Sequence, residues 1–118
     1  MDERRTARVS ETVREELSEL IAFELEDPRL ASLAVSDVHI SPDGKYARIK
    51  VSVVGAETQQ NQAIAALEHA KHYLRSALAH RLSLRRVPEL HFEPDHNADV
   101  DSRIDFLLRR ARRSRGEN

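Results

Sequence analysis

The sequence predicts an α+β domain in which a three-stranded mixed sheet carries helices on one face, followed by a further C-terminal helix. Three observations predict it. Apolar residues recur with helical spacing at the start of the chain; two segments of alternating polarity then flank a Pro-Asp-Gly turn; and about thirty residues of helical character, free of Pro and Gly over most of their length, separate the second of these segments from a third. Two strands joined by so long a connection are expected to be parallel neighbours through a helical crossover.

Val9, Val13, Leu17, Leu20, Ile21 and Leu25 align on one helical face with acids between them, so Thr6 to about Glu26 reads as an amphipathic helix. Asp27-Pro28 ends it, since proline disfavours the α region for the residue before it and has no N–H to donate. A loop from Pro28 to Ser32 follows. Leu33 to Ser41, with Val35, Val38 and Ile40, and Tyr46 to Val54, with Ala47, Ile49, Val51 and Val53 set against Arg48, Lys50 and Ser52, read as two strands. Ser41-Pro42-Asp43-Gly44 supplies the hairpin turn. Arg48 and Lys50 therefore share the face that is not packed.

Thr58 is the expected cap of a helix carrying Ile64, Leu67, Leu74 and Leu78. Continued to Leu84 it would span roughly 40 Å at the rise of an α-helix, against a domain diameter of about 35 Å for this chain length. A kink or break is therefore expected. Pro88 then opens a short third strand, Glu89 to Glu93, with Leu90 and Phe92 inward and Pro94 closing it. Val100, Ile104, Leu107, Leu108 and Ala111 mark a last helix, capped by Asn97 or Asp99, ahead of an Arg-rich end.

At 118 residues the chain suits one core. Aromatics make up 4%, so that core is expected to be aliphatic, with Phe23, Phe92 and Phe106 as its larger pieces. The absence of cysteine excludes disulfides and thiol chemistry and fits a reducing compartment. With no long apolar run, the chain reads as soluble and cytoplasmic, without signal peptide or membrane span. Net charge is −1, but its signs are segregated. Acids dominate Val9 to Lys45; Arg48, Lys50, Lys71, Arg75, Arg81, Arg85 and Arg86 follow, then a tail with Arg109, Arg110, Arg112, Arg113 and Arg115.

The order α-β-β-α-α-β is that of type II KH-like domains, and local residues are specific as a set. Arg8-Val9, Asp27-Pro28-Arg29, Ser41-Pro42-Asp43 with Ala47, Leu74-Arg75, Leu84-Arg85, Pro88, Leu90, Phe92 and Asp95 together resemble the ribosome-binding factor A family over most of the chain. The resemblance implies a KH-like domain over residues 1–108 and a basic tail over 109–118. It also implies binding to rRNA and ribosomal proteins of the free small subunit during late rRNA maturation, with no catalysis. A monomer with no cofactor, no membrane partner and no small-molecule substrate is expected. The Gly-x-x-Gly loop of KH domains is absent, and where the family usually has Ala-x-Gly between the central helices this chain has Ala70-Lys71-His72. Glycine would ease the kink, so either His72 takes an unfavourable backbone geometry or the bend lies elsewhere.

RNA recognition calls for cations at phosphate spacing, and Arg adds a planar fork that stacks as well as donates. The candidates are Arg8, Lys45, Arg48, Lys50, Arg75, Arg81, Arg85 and Arg86, with Arg109, Arg110, Arg112 and Arg113 as tail phosphate contacts. The competing reading makes Arg75 and Arg81 solvated helix charges, pairs Arg85 with an acid such as Glu89 or Asp95, and leaves the tail compensating a helix dipole. A second functional class, a protein-interaction module, would use the acidic first helix instead. Enzyme readings fare worse. No phosphate loop, nucleophile elbow or His-Glu-x-x-His pair is present, His69-x-x-His72 lacks the further ligands zinc needs, and Asp95-x-Asn97-x-Asp99 lacks the Gly and Glu of a calcium loop.

Overall fold

The computed structural model describes residues 3–95, and the predicted last helix, Phe106 and the basic tail lie outside them. The described elements are α1 (Glu3–Phe23), a 3₁₀ turn (Pro28–Leu30), β1 (Leu33–Ile40), β2 (Tyr46–Val53), α2 (Glu57–His69), α3 (Lys71–Leu82) and β3 (Glu89–Pro94). β2 is central, antiparallel to β1 and parallel to β3. The mixed sheet and the crossover are as the sequence predicts.

α1 lays Val13, Leu17, Leu20 and Ile21, each at most 1% exposed, into one core with Ile49, Val51, Leu67, Leu74, Leu78 and Leu90. Burial of each such side chain contributes about 1.5–3 kcal/mol. The helix stops at Phe23, earlier than the expected Glu26. The N–H groups of Glu24 and Leu25 both turn back to the Leu20 carbonyl, and the chain leaves the helix before the proline is reached. Phe23 is not a core residue: it is 48% exposed, because it falls off the apolar stripe of α1. The following loop is more ordered than its sequence suggests. Asp27 accepts the N–H of Arg29 with Pro28 at the first turn position, and the 3₁₀ turn drives Leu30 into the core at 1% exposure.

The register of β1 shifts between Val35 and Asp37, where Ser36 is the extra residue of a β-bulge. Leu33 and Val35 point inward before it, Val38 and Ile40 after it. The bulge therefore turns Asp37 and His39 to the outer face, opposite Lys50 and Arg48. The Ser36 hydroxyl binds the Asp95 carboxylate at 2.7 Å and lies 3.1 Å from the Lys50 carbonyl, tying the bulge to the end of β3.

The long helical stretch breaks at Ala70, whose φ of −88° and ψ of 0° end α2 and begin α3. No positive φ is used there. His72 lies inside α3, so the bend sits where alanine tolerates it and the missing glycine carries no conformational cost. α2 begins at Glu57 with Ala56 rather than Thr58 as its cap, and the Gln59 side chain accepts the Ala56 N–H in place of a capping hydroxyl. That arrangement requires Gly55: its φ is +134°, and a Cβ there would lie 2.2 Å from Gln59 Oε1. α3 ends at Ser83 in the left-handed region, φ 51°.

Candidate nucleic-acid interface

Three segments meet at one end of the sheet and enclose an open groove of about 800 Å³. They are the β1–β2 hairpin tip, the outward side of α3, and the loop into β3. Lys45, Arg75, Arg85 and Arg86 line it together with Tyr46 and His72, against two carboxylates, Asp43 and Glu89. Each wall is braced. Asp43 accepts from the Ser41 hydroxyl at 2.6 Å and from the Lys45 N–H at 3.0 Å, which hold its carboxyl below the usual aspartate range and fasten the turn. Gly44, φ 74°, supplies the turn's left-handed residue. The Glu89 N–H donates to the Lys45 carbonyl at 2.8 Å, joining hairpin to loop. Arg75 Nη2 donates to the Val87 carbonyl at 3.0 Å, joining α3 to the same loop. Arg75 therefore shapes the groove as well as charging it. Among the described residues, no salt bridge engages Lys45, Arg85 or Arg86.

The outer face of the sheet adjoins this groove. His39, Arg48 and His91 form one cross-strand row, and Asp37, Lys50 and Glu93 the next. Arg48 and Lys50 do share a face, but it is one of mixed sign: Arg48 pairs with Glu93 at 3.0 Å. Tyr46, the first residue of β2, stands at the junction of face and groove. It is 48% exposed, and its ring centroid lies 5.8 Å from that of His91. Sequence reasoning passed over Tyr46 as a functional residue, although two-residue alternation puts it on the Arg48 and Lys50 face.

Arg81 is elsewhere. Its guanidinium reaches across to α1 and meets Glu16 at 3.0 Å, Glu19 at 3.4 Å and Glu24 at 2.7 Å. The Tyr73 hydroxyl donates to Glu24 as well. Arg81, expected among the RNA-facing cations, does not line the groove: Glu16 and Glu19 on α1 and Glu24 just past its end hold it as a tie between α3 and α1. Arg8 is exposed on α1 and does not line the groove. Arg109, Arg110, Arg112 and Arg113 lie outside the described residues. The helix histidines His69 and His72 stand exposed on either side of the Ala70 bend.

The tie has a pH signature. Tyr73 first, and Arg81 second, hold the Glu24 carboxyl below the ordinary glutamate range. A depressed folded-state pKa gives stability that is present above the unfolded value and lost as pH falls through the folded one. Arg81→Met is expected to lower the melting temperature at neutral pH and to flatten its decline between the ordinary glutamate pKa and the depressed Glu24 value. Thermal melts of both proteins across that window check this; parallel curves would show that Arg81 carries no part of the linkage.

The central helix pair, the N-terminal helix and the β1-β2-β3 order define a KH-like α+β domain. Solved structures share it. The crystal structure of ribosome-binding factor A from Thermus thermophilus aligns with a TM-score of 0.68 at 37% identity, covering 75% of this chain and 94% of that one. A Thermus thermophilus ribosome-binding factor A homology model, fitted into the cryo-EM map of a 30S complex, aligns with a TM-score of 0.68 at 35% identity, covering 80% of this chain and 99% of that one. The ribosome-binding factor A family model matches residues 5–108. The ribosome-binding factor A of Solibacter usitatus is 65% identical over 116 residues, 98% of this chain and 94% of its own length. That of Brevibacillus brevis is 37% identical over 109 residues, 92% and 90% of the two chains. The chain belongs to the ribosome-binding factor A family.

Proposed function

We propose that this protein binds the free small ribosomal subunit through its rRNA and supports late rRNA maturation as an assembly factor without catalytic activity. The observation that carries the reading is the groove, where four cations gather from the hairpin, α3 and the β3 loop of a chain whose net charge is −1. A relative in a 30S complex supports the choice of particle. The mechanism is differential binding: a surface that favours one rRNA conformation shifts the population toward it. The protein works as a cytoplasmic monomer, meeting rRNA and neighbouring ribosomal proteins and requiring no cofactor.

The alternative of a protein-interaction module built on the acidic first helix has less support, because Glu16, Glu19 and Glu24 are already engaged by Arg81. Co-sedimentation with free small subunits at increasing salt tests the reading. Affinity is expected to fall linearly on a log–log plot, with a slope of roughly −0.7 to −0.9 per phosphate contact. Affinity indifferent to salt would refute it.

A further inference from the structure

We infer that the groove takes an unpaired stretch of RNA, with one base stacked on Tyr46 and its flanking phosphates on Arg85, Arg86 and Lys45. The inference rests on the rRNA reading and names the form of RNA that this site accepts. Three observations carry it. The cations line an open recess of about 800 Å³ between the hairpin tip and α3, and only an unpaired strand can splay a base into such a recess. Tyr46 opens onto that recess with about half of its surface free, in a chain in which aromatics make up 4%. An exposed tyrosine beside phosphate-binding cations is what sequence-tolerant base stacking requires, since every base has a π-face.

The surroundings point the same way. His91 braces the Tyr46 ring from β3, with Glu89 3.5 Å from the imidazole, so the platform is held by its neighbours before any ligand arrives. From Tyr46 the outer sheet face continues to Arg48, paired with Glu93, and Lys50, two and four residues along the same strand face, which gives the RNA further cations on leaving the groove. Asp43 and Glu89 oppose the ligand's charge and set its path between them. An acidic peptide would satisfy the cations but leave Tyr46 without a partner.

The chain has two tyrosines and no tryptophan, so Tyr73→Phe leaves Tyr46 as the only tyrosine emitter. In that background an unpaired RNA octamer is expected to quench Tyr46 emission. An octamer with abasic sites and a duplex of the same sequence are expected not to. Tyr46→Ala is expected to weaken octamer binding by roughly 5- to 100-fold, while Tyr46→Phe leaves it unchanged. Circular dichroism and thermal melts establish that each variant is folded. Equal octamer affinity for Tyr46→Ala and the parent, or equal quenching by the abasic octamer, overturns the inference while small-subunit binding stands. Loss of salt-dependent binding to subunits themselves overturns the underlying rRNA reading instead.

Discussion

Replacing Arg85 and Arg86 together by glutamate is expected to abolish association with free small subunits while leaving the fold intact. Both residues are exposed on the loop between α3 and β3, outside the core, and neither takes part in a salt bridge among the described residues. Their loss therefore removes no internal tie. At a surface that binds phosphates, each lost cation lowers the salt slope by about 1, and reversal adds repulsion at the same points. The double variant should show no detectable co-sedimentation at moderate salt and a slope shallower by about 2 in low salt. Acid introduced at Asn61 and Gln62, exposed on α2, should have far less effect. Equal losses from both pairs would mean that overall charge governs binding and that the groove has no special part.

Leu74→Ala is expected to cost about 2–5 kcal/mol, the range for truncating a fully buried leucine. Leu74 is 0% exposed, and its N–H bonds the Ala70 carbonyl at 2.9 Å directly after the bend. It anchors the turn of α3 that presents Arg75 to the groove. A domain of this size loses roughly 4–8 °C of melting temperature per kcal/mol, so a fall of at least about 8 °C is expected in a calorimetric scan. Subunit affinity measured well below the new midpoint should weaken too, because the helix that positions Arg75 has lost its anchor. A shift of only a degree or two would mean that the site collapses around the vacancy.

The elements were legible because their signals are local. Helical spacing of Val13, Leu17, Leu20 and Ile21 marks α1, Pro42-Asp43-Gly44 marks the hairpin, and Pro88 and Pro94 bracket β3. The bulge had a signal that simple alternation overlooks: Val35 and Val38 are three residues apart, and a regular strand cannot put both inside. The bend at Ala70 had none, since the chain lacks the glycine that would mark it and an alanine at φ −88° leaves no trace in sequence. Arg81 shows the limit most plainly. Nothing within several residues of it announces Glu16, Glu19 and Glu24, which lie more than fifty positions away.

By itself, the sequence determined the α-β-β-α-α-β order, the aliphatic core and the segregation of acids from bases, all of which follow from residue periodicity and composition. Only the tertiary structure decided which cations stand together. Lys45, Arg75, Arg85 and Arg86 come from three elements and meet through backbone contacts such as Glu89 to Lys45, while Arg81, on the same helix as Arg75, is drawn to α1. The physical reason is that charge acts through distance in space, and distance in space between residues far apart in the chain exists only once the core has packed.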